Sequence, residues 1–224
     1  NSTSHMYDCE KICPFNFEYQ FYEKCYQLSD FSKYDFFRGH FGLNVKNNFF
    51  ADAKVISFVR EPLDRLKSLY IFFKNQANNS DISDTNKHNV GLKVSQMSFK
   101  EFIFSTDKSV ENIKNNVQSK LLGGGYFSHK KESRPEVIVN DDDFFENAIN
   151  FVNHRDNIVG ASDNIKPVFE KLNSNFTNIL PEPDYLKVSP IIDKEQLVID
   201  DELIEHMNKI NYFDYLLYNY IKRL

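Results

Sequence analysis

The sequence predicts an α/β fold in three layers, with helices on both faces of a central parallel sheet and a helix-rich C-terminal part. Lys54 to Val59 (KVISFV) is a short, β-branched, nearly continuous apolar run of the kind that forms a strand buried on both faces. A turn and an amphipathic helical pattern follow it immediately. Asn157 to Gly160 (NIVG) repeats the arrangement, and strands that alternate with helices imply a parallel sheet with helices packed over it.

The chain has 224 residues, enough for a single domain spanning 1–224 with one hydrophobic core. Its 27 Lys and Arg against 32 Asp and Glu leave a net charge of −5, so no overall positive field attracts nucleic acid or an anionic membrane. An anionic ligand must therefore be caught by a local site. No run reaches the roughly 18 to 20 apolar residues of a membrane-crossing helix, and Asn1 to Tyr7 lacks the apolar stretch of a signal peptide. The expectation is a soluble protein. Cys9, Cys13 and Cys25 are odd in number and confined to the start of the chain, which favours a reducing compartment over a disulfide framework. No second Cys or His pair follows at zinc-site spacing, so no metal is expected.

Taken in order, the first strand ends at Val59, and Pro62 suits the first turn of a helix in which Leu63, Leu66, Tyr70 and Phe73 recur at three and four residues. Gln76 to Ser95 is polar and rich in Asn, Asp and Ser, and reads as a surface loop or lid. Asn116 to Leu122 reads as a capped amphipathic helix, with Gly123, Gly124 and Gly125 as the turn that ends it. A further helix opens at Asp141 to Asp143 and runs to about His154 ahead of the NIVG strand. Ile165 to Leu172 is helical, Pro167 being tolerated in a first turn. Asp200 to Leu224 forms one or two amphipathic helices with Leu203, Met207, Ile210, Phe213, Leu217, Tyr220 and Ile221 on the apolar side.

Ligands of open parallel sheets bind beyond the carboxyl ends of the strands, and Arg60 directly follows KVISFV. Ser68 stands eight residues later. A planar Arg fork and a hydroxyl converging from a strand end and a helix suit a phosphate dianion. The same residues also allow a plainer reading, in which Arg60 pairs with Glu61 or Asp64 and Ser68 is an ordinary helix-surface residue.

Several segments together resemble the membrane-type carbohydrate sulfotransferases and their bacterial relatives. Val59-Arg60-Glu61-Pro62, with Ser68 eight residues after the Arg, is similar to the family's 3′-phosphate-binding V-R-[DE]-P segment. Phe36-Phe37-Arg38-Gly39-His40-Phe41 resembles its F-x-G-H-[FV] stretch, and Ile12-Cys13-Pro14 an I-C-P element of some bacterial members. Asn116 to Gly123 (NVQSKLLG) looks like its N-x-Q-[ST]-[RK]-x-L-x-G, the NIVG strand its V-G strand, and Asp214 to Tyr218 its closing D-x-x-L-Y helix.

The resemblance implies a P-loop NTPase-like sulfotransferase fold. It also implies transfer of a sulfuryl group from 3′-phosphoadenosine 5′-phosphosulfate to a hydroxyl of a saccharide-type acceptor, with no metal. Arg60 and Ser68 bind the donor's 3′-phosphate in this expectation. His40 is the general base, a role that an imidazole with an ordinary pKa of about 6.5 suits near neutrality. Gln118 and Lys120 lie near the nucleotide by the same analogy, although a capped helix accounts for Asn116 to Leu122 equally well. The family's phosphosulfate-cradling P-K-[TC]-[AG]-[GS] loop does not occur before Phe36. Ser2 and Thr3 are then expected as the tail of that loop, its strand and lysine being missing or truncated, or else as part of a leader unrelated to the fold. The expected compartment is the cytoplasm for a bacterial protein and the Golgi lumen for a eukaryotic one. Two alternatives remain beside this reading. One is a non-catalytic module that keeps the nucleotide or glycan site. The other is a P-loop kinase-like phosphotransferase, whose G-x-x-x-x-G-K-[ST] loop is not visible in the sequence.

Overall fold

The structure, a computed structural model, describes residues 43, 52–76, 85–124, 141–175 and 197–224. These residues belong to two compact units, one formed by Lys54–Ser119 with Val152–Leu224, the other by Asn1–Ala53 with Lys120–Phe151. The described part is a helix-rich α/β protein.

In the larger unit, β1 (Val55–Val59) pairs in parallel with β2 (Asn157–Ala161), in a register that sets Val55 opposite Asn157 and Val59 opposite Ala161. Parallel pairing and both strand positions agree with the sequence reading. The burial of β1 does not. Ile56 and Phe58 are 41% and 42% exposed while Val59 is buried, so β1 covers one face and leaves alternate side chains on the other partly open. β2 is the strand that is buried on both sides, through Asn157, Ile158, Gly160 and Ala161.

Helix α1 (Pro62–Gln76) follows β1 after two residues, and Glu61 Oε2 accepts a hydrogen bond from Asp64 N at 2.6 Å to cap its first turn. Leu66, Tyr70 and Phe73 are buried at the expected spacing, and Tyr70 OH donates to Met97 O at 2.9 Å. The polar segment after α1 departs from the loop reading: Thr85–Ser95 is a helix, α2. Val90 and Val94 stand four residues apart on its face, Val94 fully buried and Val90 packed against the same core, and this apolar pair outweighs the weak helix propensity of its Asn and Gly. Two short helices follow that the sequence reading did not separate, α3 (Phe99–Phe104) and α4 (Lys108–Lys114). Ser98 and Glu101 form a capping box on α3, and the Asp107 side chain accepts from Ser109 N to cap α4.

Side chains from α1 to α4 and from α8 (Asp201–Ile210), among them Leu66, Phe99, Phe102, Ile103, Leu203 and Met207, form the main core cluster. Beside it Lys114 is only 2% exposed, and its ammonium donates to Phe102 O, Ile103 O and Ser105 O at 3.3, 2.5 and 2.6 Å. It satisfies the last carbonyls of α3. Burial pulls its pKa down to about 8, against the opposing charge of Glu111. The C-terminal segment is two helices, as the sequence allowed, with α8 ending at the buried Asn211 and a last helix at Tyr212–Ile221.

Between strand and tail lie α5 (Val117–Gly123), α6 (Asp141–Asn153) and α7 (Lys166–Asn175), with the tail's last helix as α9. Within the smaller unit a Cβ on Gly123 would lie 1.8 Å from Phe144 O, so only glycine fits where α5 ends against α6. Gly124 then turns with φ 83, the left-handed helix ending expected of this triplet. No helix among the described residues is long and apolar enough to cross a membrane.

Candidate functional site at the carboxyl end of β1

Chain direction and pleat place the first polar residue after β1 at the carboxyl edge of the strand pair, where Ser162 N donates to Val59 O at 2.9 Å and closes the ladder. That first residue is Arg60. Its own peptide is held from the side: Arg60 N donates to Gln118 Oε1 at 2.7 Å, and Gln118 Nε2 donates to Arg60 O at 2.8 Å. One primary amide thus reads both groups of one residue, as a neighbouring strand would.

Gln118 is in turn set by a pair of reciprocal caps. Asn116, in the left-handed region at φ 48 that Asn tolerates, directs its side-chain oxygen to Phe213 N and Asp214 N, at 3.0 and 3.2 Å, at the start of α9. The buried Asp214 carboxylate accepts from Gln118 N at 3.2 Å and from Ser119 N and Ser119 Oγ, both at 2.7 Å, at the start of α5. Asn211 Oδ1 accepts from Asn116 N at 3.3 Å. Each helix start supplies the other's cap, and the negative charge of Asp214 at the start of α5 suits the helix dipole.

The Arg60 side chain points along α1. Its Nη2 lies 3.3 Å from Asp64 Oδ2, the two side chains being 36% and 51% exposed. This is one of the two carboxylates that the plainer reading named. A pair this open to water is worth about 0 to 1 kcal/mol, so it yields readily to a stronger anion. Asp64 and Ser68 are four residues apart on α1 and share a face, so the guanidinium leans along the strip that carries Ser68. The Ser68 hydroxyl is half-buried and has no hydrogen-bond partner among the described residues.

Two groups beside this edge escaped the sequence reading. Tyr215 on α9 has its pKa raised by burial and then by the nearby charge and hydrogen bond of Glu61. At the end of β2, Asp163 Oδ2 accepts from Tyr218 OH at 2.9 Å and from Lys222 Nζ at 2.6 Å; Lys222 and then Tyr218 hold its carboxyl below the ordinary range. Tyr218 and Lys222 are one helical turn apart, the spacing that could have signalled them; nothing local to Asp163 or Glu61 announces a partner on α9.

In the smaller unit, Lys120 Nζ sits 5.7 Å from the centroid of the Phe144 ring, and Phe144 is 1% exposed, a core residue as expected. His40, Ser2 and Thr3 lie outside the described residues, as do Cys9, Cys13 and Cys25. No cluster of three or more His, Cys, Asp or Glu suited to a metal occurs among the described residues. Compared with protein families, curated proteins and solved structures, the chain matches none of them.

Proposed function

We propose that this chain is a sulfotransferase, built on the three-layer P-loop NTPase-like plan, which moves a sulfuryl group from 3′-phosphoadenosine 5′-phosphosulfate to a hydroxyl of a saccharide-type acceptor. One observation carries the reading. Arg60 emerges from the carboxyl end of a parallel strand with its peptide clamped, its side chain about one-third exposed, and its side-chain partner among the described residues an open carboxylate on the helix face that bears Ser68. A dianion at that strip receives a planar Arg fork and a hydroxyl, and it outcompetes a single carboxylate for the fork because it carries more charge and more acceptor oxygens.

In this reading Arg60 and Ser68 hold the ribose 3′-phosphate and so position the donor. The acceptor oxygen attacks sulfur in line. An oxygen–sulfur bond forms as the bond from sulfur to the donor's bridging oxygen breaks, the electron pair leaves on the 5′-phosphate, and the acceptor's proton passes to His40. Positioning supplies most of the rate in such a loose displacement, which is why the 3′-phosphate anchor matters to turnover as well as to affinity.

The test is a titration of adenosine 3′,5′-bisphosphate against adenosine 5′-monophosphate. Wild type binds the bisphosphate more tightly, and Arg60→Ala removes about 1.5 to 3 kcal/mol of that preference, the scale of a charged hydrogen bond. Equal affinity for the two nucleotides in wild type rejects the reading and favours a kinase-like phosphotransferase. With bisphosphate binding established, loss of sulfuryl transfer in His40→Ala at unchanged nucleotide affinity supports His40 as the base. Full turnover in that variant refutes the assignment, and wild-type protein that binds but never transfers is a binding module.

A further inference from the structure

Gln118 has a role that its place in a sequence motif does not reveal. Its carbonyl oxygen and amide nitrogen bond the N–H and C=O of the same residue, Arg60, 58 positions away in the chain, and only one orientation of the amide satisfies both bonds. Its backbone N–H is held by Asp214, its neighbour Ser119 is fully buried, and Asn116 two residues before it is fastened to α9. A side chain so anchored is stiff. It contacts the backbone of Arg60 rather than the guanidinium, so its influence on a ligand at the Arg60 side chain passes through the Cα position and backbone dihedrals of Arg60.

We propose that Gln118 is a positioning residue that fixes the Arg60 peptide and thereby aims the guanidinium at the 3′-phosphate; this rests on the reading of Arg60 as a phosphate anchor. Without the amide clamp, the residue after β1 keeps its side chain but loses the two bonds that orient it. The guanidinium then samples a wider arc, and the phosphate-specific part of nucleotide affinity falls while the rest remains.

A double-mutant cycle on the full chain separates this from direct contact. Gln118→Met keeps the length and removes both bonds; Gln118→Glu keeps the acceptor for Arg60 N and removes the donor to Arg60 O. Each is measured alone and with Arg60→Ala, which leaves the clamped peptide in place but deletes the guanidinium. The readout is the ratio of affinities for adenosine 3′,5′-bisphosphate and adenosine 5′-monophosphate. The expected result is a loss of about tenfold in that ratio for Gln118→Met, less for Gln118→Glu, and almost no further loss for either in the Arg60→Ala background. Equal losses in both backgrounds overturn the proposal and make Gln118 a direct ligand; no loss in either overturns it as well. Amide hydrogen exchange gives a readout that needs no ligand. Protection of the Arg60 amide should fall in Gln118→Met while that of Ile158 in β2 persists, and an Arg60 amide that exchanges equally in wild type and variant refutes the clamp. If wild type shows no preference for the bisphosphate, the phosphate-anchor reading fails and the exchange result alone decides whether Gln118 orders the Arg60 peptide. Should Gln118→Met not fold, Gln118→Glu carries the same comparisons.

Discussion

Arg60 and Asp64 are joined at 3.3 Å by a pair that water screens from both sides, and that weakness gives the residue scale its test. Under the proposed function Asp64 opposes the ligand twice, by occupying the guanidinium and by repelling the phosphate. Asp64→Asn should then tighten bisphosphate binding by roughly twofold to fivefold, the value of an exposed ion pair, with a smaller gain at high salt. Isothermal titration at two salt concentrations measures this; an unchanged or weaker affinity speaks against a phosphate at Arg60. Lys114 shows the opposite case. Its ammonium is enclosed and meets three carbonyls, so the cation serves the end of α3 and is not open to a ligand.

At the scale of elements, the starts of α5 and α9 are joined by caps that cross between them. Asn116 serves α9 and Asp214 serves α5, and both contacts depend on the same approach of the two helix ends. Removing either cap should cost about 1 to 2 kcal/mol of stability, as lost N-caps do. Because each cap holds the other's geometry, Asn116→Ala combined with Asp214→Ala should cost less than the two single losses added together. Urea unfolding of the four proteins measures the coupling, and strict additivity shows that the caps act independently. Local signals anticipated the elements themselves: Pro62 opens α1, the Leu66, Tyr70 and Phe73 spacing buries its inner face, and Gly124 closes α5. They misread Thr85–Ser95, where Asn, Lys and His dominate the composition and only Val90 and Val94 record the side that meets the core.

Across the whole molecule, stability should respond to pH through His206. Its ring stacks on Phe104 with centroids 4.3 Å apart; burial, then the charges of Lys114 and Lys209, lower its pKa from 6.5, with Glu202 and the Ile103 backbone opposing. The unfolded chain therefore takes up this proton before the folded one does. Stability present above about 6.5 is lost as the pH falls from there through the folded value. His206→Phe keeps the stacked ring without the titration, so the fall in thermal midpoint between about pH 7 and pH 5 should be shallower in the variant than in wild type. Parallel curves would place the pH sensitivity on other groups.

The amino-acid sequence by itself determined the alternation of strand and helix, the parallel sense of β1 and β2, and the place of Arg60 at the strand's carboxyl end. All of these follow from the spacing of apolar residues and from turn chemistry within a few positions of each other. Only the tertiary structure decided what Arg60 touches. Gln118 is 58 residues away from it, and Asp214 lies 96 residues beyond Gln118. Hydrogen bonds across such distances leave no periodic trace, because they depend on which surfaces the core brings together and not on any repeat in the chain. For the same reason the sequence suggested a buried β1, since it records that Ile56 and Phe58 are apolar but not that the packed fold leaves them at the surface.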